Sequence, residues 1–446
     1  MKKLLFILAI SILITGCSKL TDVLDNDPPN NLVPENVAPT ADGLKRLLNG
    51  NYAILNDQYY NIHTEIIPSV LGGTMNRVSM PALNYQDNAV LSNVGMLNSM
   101  WMAFYKLVNM SNWVIKLAEE LPEGEMNETL KTSMVAEARA LRAMGHFDAL
   151  RYFGQYYNPS SPFGVVVRTD AIDFTTRHIR RSSVAEVYDQ IIQDLDFAIA
   201  NGPEFSKTIY MSKTAAKALK ARVFLYKGDY AAAATLANEV ITDNKRSLSP
   251  TFAAVFSTGF NSTEMIFMKA TDAVTFTTER KKFTYTNGAT IVSPWLKTFM
   301  AGDPRAALSF NATTNRVLKV NNETFFAPTY FIRLAEMYLI KAEGLTRTDA
   351  PLDEAKAPLL AIKSRAFGSA QTSAATTKEA LLDEIHAEII KELCFENGSD
   401  WFANVRFGKI QTIKPKVTSI NQHILPIPDS EVLSNNLFGI QNPGYE

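Results

Sequence analysis

Cysteine is almost absent from this chain, and its two cysteines, Cys17 and Cys394, are too few for the disulfide framework of small secreted domains. A surplus of one charge is also absent, because 44 basic residues face 45 acidic ones. This balance excludes the strongly basic surface typical of nucleic-acid-binding domains. Long apolar runs are limited to residues 4–15, and twelve residues are too few to cross a hydrocarbon core, which takes about 20. The sequence therefore predicts a protein without internal disulfides, nucleic-acid partners or transmembrane helices.

Histidine pairs and catalytic motifs are lacking as well. The five histidines lie far apart, at His63, His146, His178, His386 and His423. None has a second histidine three to five residues away, so no metal site is predicted. Neither a Gly-x-Ser-x-Gly turn nor a glycine-rich phosphate loop before a lysine occurs, and no cofactor is expected.

Glutamate recurs at every fourth position near the C-terminus, at Glu384, Glu388, Glu392 and Glu396. This spacing places the four carboxylates on one face of a helix. Paired glycosidase carboxylates must instead face each other across a cleft. The pattern therefore favours a helix face that is solvated or paired with arginines, and the sequence predicts no enzymatic activity.

The beginning of the chain has the form of an export signal. Two lysines precede the apolar run, and the small residue Gly16 separates it from Cys17. Residues 14–17 resemble the lipobox of bacterial lipoproteins, in which the cysteine is acylated and the chain is cut before it. An ordinary secretory signal that ends near a cysteine is the alternative. We therefore expect a lipoprotein signal peptide over residues 1–16 and a lipid anchor at Cys17.

Residues 17–41 are predicted to form a lipidated flexible tether. They are polar, with three aspartates between Asp22 and Asp27 and four prolines between Pro28 and Pro39. Removal of residues 1–16 leaves 42 basic and 45 acidic residues, a formal net charge of −3. Each buried methylene of an acyl chain contributes about 0.8 kcal/mol, so two or three chains make attachment effectively permanent.

Helical periodicity begins near residue 42 and continues through most of the chain. Residues 98–120 place Trp101, Phe104, Tyr105, Val108, Asn112 and Ile115 on one helix face. Residues 129–153 are rich in Ala, Leu and Arg and are predicted to be helical. Ser183 and Glu186 form a capping-box signal that opens a helix through Ala200. A last helix is predicted from about Lys378 to Phe395.

Two segments have the form of antiparallel helical pairs. Residues 214–241 contain a helix that ends at Gly228-Asp229-Tyr230 and an alanine-rich helix that follows at once. Residues 330–347 and 352–367 form a second predicted pair. A helix, a tight turn and a second helix over about 34 residues is the tetratricopeptide plan, here without a fixed period. The predicted fold class is therefore mainly α, with tetratricopeptide-type pairs as a scaffold.

Two stretches differ from the helical groups. Residues 55–97 and 248–328 are predicted to be loop-rich with short strands, and the turn signal Asn287-Gly288 lies in the second. Loops on a rigid helical scaffold commonly carry the binding surface.

Several segments, taken in order, resemble the SusD/RagB family of outer-membrane nutrient-binding lipoproteins of Bacteroidetes. They are residues 101–115, 136–157, 181–199, 214–241, 301–305, 330–345 and 424–445. The last of these is the most specific, because it combines Pro426-Ile427-Pro428 with Gln441-Asn442-Pro443-Gly444-Tyr445. One segment departs from the family pattern: Ile389 stands where an arginine usually follows the glutamate, and Ala403-Asn404 stand where an aspartate is expected. The resemblance implies a SusD-like domain over residues 42–446.

The same resemblance implies a function. It implies a surface-exposed, lipid-anchored outer-membrane protein that binds a glycan or oligosaccharide and delivers it to a SusC-type TonB-dependent transporter. A peptide ligand, as on the RagB side of the family, is the main alternative. A lipid-tethered hydrolase and a tetratricopeptide scaffold without a small ligand are more remote ones.

A glycan site needs aromatic platforms for the C–H faces of sugar rings and polar side chains for their hydroxyl groups. The two loop-rich stretches supply this mixture. The candidate ligand-binding residues are Asn76, Arg77, Tyr85, Asp87, Asn88, Phe276, Arg280 and Tyr285. Plain loop packing is the alternative for each of them. Trp101, Trp113 and Trp401 are predicted to pack in the core.

Overall fold

The computed structural model describes residues 34–78, 83–269, 285 and 288–445. Residues 1–16, Cys17, Phe276 and Arg280 lie outside this described part. Within it the chain is mainly helical, as predicted, with seventeen α-helices and four short strands. The first eight helices are α1 (Ala41–Ile54), α2 (Gln58–Leu71), α3 (Leu83–Gln86), α4 (Gly95–Glu120), α5 (Glu128–Phe153), α6 (Val184–Asn201), α7 (Lys213–Lys227) and α8 (Tyr230–Thr242).

The C-terminal half contains shorter helices interrupted by strands. The helices are α9 (Phe252–Ser257), α10 (Pro294–Phe299), α11 (Ala306–Ser309), α12 (Leu334–Arg347), α13 (Leu352–Phe367), α14 (Lys378–Leu393), α15 (Ser399–Arg406), α16 (Ile410–Ile413) and α17 (Asp429–Ser434). The strands are β1 (Met75–Arg77), β2 (Met265–Lys269), β3 (Thr290–Val292) and β4 (Thr329–Arg333).

The long helices pack side by side in one array. Helix α4 packs on α5, α5 on α6, α6 on α7 and α7 on α8, and α8 then packs on α12. Helix α12 continues the array through α13 and α14. The contact between α8 and α12 is close because Gly344 faces Ala234, and a Cβ added at Gly344 lies only 2.6 Å from the carbonyl oxygen of Tyr230. Neighbours in the array can therefore be distant in the sequence.

The pair α7–α8 confirms the predicted helical unit at residues 214–241. Ser212 caps α7 by accepting a hydrogen bond from the amide of Ala215. Gly228 ends α7 in the left-handed region, with a φ of +89°, a conformation in which glycine carries no Cβ penalty. Asp229 then caps α8 through the amide of Ala232. The predicted capping box of Ser183 and Glu186 is also present at the start of α6.

Three predicted boundaries were wrong. Residues 330–333 belong to strand β4 and not to the helix that follows, because the fully buried run from Thr329 to Arg333 pairs with β2. Residues 55–97, predicted to be loop-rich, contain helix α2, which buries Ile66, Ile67 and Val70. Helix α14 ends at Leu393, since Phe395 has a φ of +70°, and three further helices follow it.

The four strands form two antiparallel ribbons. Strand β1 pairs with β3, with Met75 opposite Val292 and Arg77 opposite Thr290. Strand β2 pairs with β4, with Lys269 opposite Thr329. The ribbons connect the loop-rich segments to each other and to the helical array, since β4 leads directly into α12.

A buried ion network lies where β4, α13 and α14 meet. Arg333 contacts Glu396 at 2.7 Å and Glu392 at 3.0 Å, and Arg305 contacts Glu388 at 2.6 Å. Further members are Glu264, Asp303, Lys319 and Arg365. The side chains of these nine residues are at most 5% exposed. The interpretation of a helix face paired with arginines is therefore confirmed for Glu388 and Glu392, whereas Glu396 pairs with Arg333 from beyond the end of α14.

Mutual attraction outweighs desolvation for Arg333 and Glu392 at the centre of this network, whereas burial raises the pKa of Glu264 and Glu388. Burial by itself lowers the pKa of Arg333, but Glu396, Glu392 and Glu264 together raise that pKa well above its usual value. Burial by itself raises the pKa of Glu392. The neighbouring arginines, of which Arg365 has the largest effect, lower it by more, so the pKa of Glu392 lies below its usual value. Arg333 and Glu392 are therefore both charged at neutral pH, and each stabilises the charged form of the other.

Removal of one central carboxylate tests this dependence. We expect Glu392→Ala to lower the free energy of unfolding by about 3–5 kcal/mol, because Arg305, Arg333 and Arg365 each lose a buried carboxylate partner. The matched control is Glu384→Ala on the same helix, where a part-exposed carboxylate lies 3.7 Å from Lys363. Its loss is expected to cost at most about 1 kcal/mol. Denaturant titration of both variants checks the difference, and equal effects contradict it.

Candidate functional site

The first ribbon brings four of the predicted ligand residues together. Asn76 and Arg77 lie on β1, and the side-chain amide of Gln86 binds both: it donates to Asn76 Oδ1 at 2.9 Å and accepts from the Arg77 amide at 3.1 Å. Burial lowers the pKa of Arg77, and the neighbouring Tyr285 and Tyr85 oppose that shift. Asn76, Arg77, Tyr85 and Tyr285 therefore lie in one neighbourhood.

The two tyrosine rings of this neighbourhood are buried. Tyr85 is 1% exposed and Tyr285 is 0% exposed, so neither ring offers a stacking face to solvent. The Tyr285 hydroxyl donates to Glu65 Oε2 at 3.3 Å. Burial raises the pKa of both phenols. Their assignment as ligand contacts stays a prediction.

The remaining candidates in the described part lie beside these residues. Asp87 is exposed and lies 2.9 Å from the Lys416 ammonium. Asn88 is buried and donates to the carbonyl of Leu71 at 3.2 Å, which gives it a structural contact. Phe276 and Arg280, as stated above, lie outside the described residues, as does Cys17.

A separate open cleft of about 470 Å³ lies beside helix α4. This volume falls in the range of about 300–1,000 Å³ that is usual for small-molecule sites. Four segments form its walls: the start of α2, one face of α4, the extended residues 166–172, and α17. The lining includes Asp57, Tyr59, Ser99, Trp101, Met102, Tyr105, Lys106, Asn109, Val166, Arg168, Ile172 and Glu431.

Aromatic rings form one wall of the cleft. The rings of Trp101 and Tyr105 lie 4.6 Å apart between centroids, inclined by 43°. The indole Nε1 of Trp101 donates to Glu431 Oε2 at 3.2 Å, and the Tyr105 hydroxyl donates to the carbonyl of Val166 at 2.8 Å. Both rings are therefore fixed by a hydrogen bond at their polar end. Tyr59 adds a third, part-exposed ring at the start of α2, where Asp57 caps the helix.

Polar side chains form the rim. Lys106 is exposed and lies 4.0 Å from Asp57. Asn109 accepts a hydrogen bond from the amide of Ile172 at 2.8 Å, which holds the extended segment against α4. The guanidinium of Arg168 donates to the carbonyl oxygens of Thr176 and Arg177. The cleft thus combines an apolar wall with both positive and negative groups.

A buried histidine fixes the position of Arg168. His146 Nε2 accepts a hydrogen bond from the backbone amide of Arg168 at 3.1 Å. Burial, with the nearby Arg142 and Arg168, lowers the pKa of His146 to about 3. The imidazole is therefore neutral at physiological pH and keeps its lone pair for this contact.

The C-terminal segment places Glu431 in the cleft. The side-chain amide of Gln441 makes two 2.8 Å hydrogen bonds with the backbone of Ile427, as acceptor and as donor. Asn442 donates to the carbonyls of Phe153 and Leu425, each at 2.8 Å. The motif that carried the family resemblance therefore braces the chain on either side of α17, which holds Glu431 beside Trp101.

The sequence pointed only to part of this cleft. Trp101 was predicted to be a core residue, and it is 4% exposed, yet the edge of its ring lines the cleft. Met102, Lys106 and Asn109 follow each other at helical spacing on the adjacent face of α4, a signal that the sequence does contain. Glu431 lies 330 residues from Trp101, and no local pattern connects the two.

The described residues contain neither a cluster of metal ligands nor a membrane-spanning helix. No group of three or more histidine, cysteine, aspartate or glutamate side chains there is arranged to hold a metal ion. Among the described helices, none combines the length and the apolar character that crossing a bilayer requires.

Comparison with known proteins identifies the family in two segments. Residues 22–225 match a SusD-like family model described as "Starch-binding associating with outer membrane", and residues 315–412 match the SusD family model. Among curated proteins, SusD-like protein P2 of Formosa agariphila is 25% identical over 99% of this chain and 99% of its own. A SusD-like protein of Bacteroides ovatus is 28% identical over 51% of this chain and 40% of its own.

Solved structures share the fold over nearly the whole chain. A SusD superfamily protein from Bacteroides thetaiotaomicron superposes with a TM-score of 0.78 at 24% identity, covering 91% of this chain and all of that one. A laminarin-binding SusD-like protein superposes with a TM-score of 0.70 at 22% identity, covering 91% of this chain and all of the other.

The helical array and its two ribbons thus define a protein of the SusD superfamily fold. Together with the matches to both family models and the full-length relative, this places the chain in the SusD/RagB family.

Substitution of Tyr285 distinguishes a structural role from ligand contact. Because its ring is fully buried, we expect Tyr285→Ala to lower the free energy of unfolding by about 3–5 kcal/mol. Tyr285→Phe keeps the ring and removes only the hydrogen bond to Glu65, so its cost is about 1 kcal/mol. Chemical denaturation measures both values. An alanine variant as stable as the unsubstituted protein shows that the ring is not part of the core.

Proposed function

We propose that this protein is a lipid-anchored, surface-exposed outer-membrane protein that binds an oligosaccharide and delivers it to a SusC-type TonB-dependent transporter. The observation that carries the proposal is the open cleft, where the rings of Tyr59, Trp101 and Tyr105 stand beside a charged and polar rim. Family membership supports it, because the matched family is described as starch-binding and associated with the outer membrane. A structural neighbour that binds laminarin adds support for the ligand class.

The chemistry of the cleft suits a sugar ring. The C–H face of a hexose packs on the part-exposed rings of Tyr59 and Tyr105 and on Met102, which is 60% exposed. Ring hydroxyl groups both donate and accept, so they pair with the ammonium of Lys106, the amide of Asn109 and the guanidinium of Arg168. The open shape leaves part of the ligand in water, which gives a modest affinity and allows release to a partner.

Binding without turnover fits the carboxylates of the cleft. Both oxygens of Glu431 accept hydrogen bonds, Oε2 from Trp101 and Oε1 from the Asn435 amide at 2.9 Å. Asp57 is committed to capping α2 through the amide of Tyr59 at 2.8 Å. On this proposal the two carboxylates position the walls of the site and do not act as an acid–base pair.

A bulky side chain at Met102 tests the site. We expect Met102→Trp to fill the cleft and weaken oligosaccharide binding at least tenfold, because the exposed position lets the indole occupy the ligand's space. The melting temperature should change by no more than about 2 °C, as for other surface substitutions. Calorimetric titration with laminarin- and starch-derived oligosaccharides measures affinity.

Leu130→Trp is the matched control, since Leu130 is 47% exposed on α5 and does not line the cleft. It should leave affinity unchanged. Equal affinities of the Met102→Trp variant and the unsubstituted protein place the ligand elsewhere. Binding of peptide pools without binding of any glycan contradicts the proposed ligand class.

The anchor is tested separately at Cys17. We expect Cys17→Ser to abolish incorporation of labelled palmitate and to move the protein out of the outer-membrane fraction, because serine offers no thiol for acylation. Purified soluble domains of both proteins should bind oligosaccharide equally. Co-purification with a TonB-dependent transporter should fall in the variant, since tethering raises the effective concentration of the two partners. Retention of label and membrane association by the variant contradicts the anchor.

A further inference from the structure

A second cleft lies at one end of the α7–α8 pair, well apart in sequence from the segments that form the first. It has a volume of about 450 Å³ and is formed by the turn before α7 and by the chain that follows α8. Residues 205–209 line one side, and Arg246, Phe260 and Asn261 line the other. The two sides are tied together, because the Thr208 carbonyl accepts from the Met268 amide at 2.9 Å and the Thr208 hydroxyl donates to the Phe260 carbonyl at 3.4 Å.

Arg246 is held rigidly in this cleft. Its guanidinium lies over the ring of Phe205, 4.5 Å from the centroid, and its Nη2 donates to the carbonyl of Ser262. Its Nε is buried and has no hydrogen-bond partner among the described residues. A planar fork of this kind, fixed by stacking, is preorganised to bind a carboxylate.

The charge of Arg246 is not neutralised locally. The ion pairs of the described residues include none for Arg246, whereas Arg142, Arg222 and Arg406 each pair with a carboxylate. The nearest acidic side chain along the turn, Glu204, is already shared by Lys213 at 3.2 Å and Lys245 at 3.6 Å.

Lys207 adds a second uncompensated cation on the rim of the cleft. The described ion pairs include none for its ammonium group either. These two cations therefore favour an anionic ligand.

The apolar parts of the cleft define the rest of the ligand. Phe260 is 42% exposed at the rim, and Phe205 lies beneath the guanidinium. Ser206, Thr208 and Asn261 supply hydroxyl and amide groups beside them. The space is far larger than a lone inorganic anion needs, and its aromatic faces suit a sugar ring.

We propose that this cleft, defined by Phe205, Lys207, Arg246 and Phe260, is a second glycan subsite that binds the carboxylate of a uronic acid residue. The inference rests on the proposed function, because it takes the ligand to be an oligosaccharide. Arg246 binds the carboxylate through its free donors, Lys207 strengthens the attraction, and Phe260 packs on the ring of the sugar.

The test uses uronate trimers prepared from pectin and from alginate, each paired with its fully methyl-esterified form. Calorimetric titration onto the mature protein should show that at least one acid trimer binds ten times or more tightly than its ester. The affinity for the acid should fall as sodium chloride is raised, since the attraction is electrostatic. Failure of every acid trimer to bind, or equal affinity for acid and ester, overturns the proposal.

Variants locate the binding. Arg246→Gln should reduce affinity for the acid trimer at least tenfold, and Phe260→Ala should reduce it severalfold without affecting the fold, because that ring is exposed. Arg46→Gln is the matched control, since Arg46 is an exposed arginine that pairs with Asp42 and does not line the cleft. Unchanged affinity in both Arg246→Gln and Phe260→Ala overturns the assignment.

The two clefts are distinguished by their own variants. Met102→Trp should leave acid-trimer binding intact while it weakens neutral oligosaccharides, and Arg246→Gln should do the reverse. If Met102→Trp abolishes binding of the acid trimer and Arg246→Gln does not, the acid trimer binds in the first cleft and the second subsite is overturned. If neutral glycans fail to bind while the acid trimer still depends on Arg246, the first cleft fails and the second stands.

Discussion

The structure depends on the buried network of four cations and five carboxylates that joins β2, β4, α13 and α14. Burial of any one of these charges by itself costs several kcal/mol, because the charge loses its hydration. In the assembled network each charge is paired with at least one opposite charge, and Arg333 alone contacts carboxylates from Glu264, Glu392 and Glu396. Because Glu264 precedes β2 and Glu392 lies in the last turn of α14, the network fixes the loop-rich region to the helical array. Formation of the pairs requires all of these elements to be in place at once, which makes this part of the fold cooperative.

The first cleft depends on a different kind of constraint. Its walls come from segments that are distant in the chain, and buried groups hold two of them. His146 accepts a hydrogen bond from the backbone amide of Arg168, and Asn442 donates one to the carbonyl of Leu425 before α17. The rings of Trp101 and Tyr105 are likewise fixed at their polar ends. On the proposed function, a ligand in this cleft meets walls that are already in place, which reduces the entropic cost of association.

The features that could be predicted from the sequence are those whose interacting residues lie close together in the chain. Helices α6, α7 and α8 were predicted because their caps and turns, such as Ser183 with Glu186 and Gly228 with Asp229, lie within a few residues of each other. Strand β4 was missed because its pairing partner lies more than sixty residues earlier, and its run of aromatic and β-branched residues also fits a buried helix. The tyrosines predicted to bind ligand are buried, since composition alone does not distinguish a packed ring from an exposed one.

The packing of α8 directly on α12 has a further consequence. The chain leaves the array after Thr242 and returns to it at Leu334, so the described residues between these points belong to an excursion whose two ends meet on neighbouring helices. Five of its residues, Glu264, Asp303, Arg305, Lys319 and Arg333, belong to the buried ion network and are therefore constrained. The length and exposed side chains of the rest can change while the helical frame keeps its packing, because the closing contact between Gly344 and Ala234 belongs to the frame. A single scaffold can in this way accommodate different chemistries at its surface.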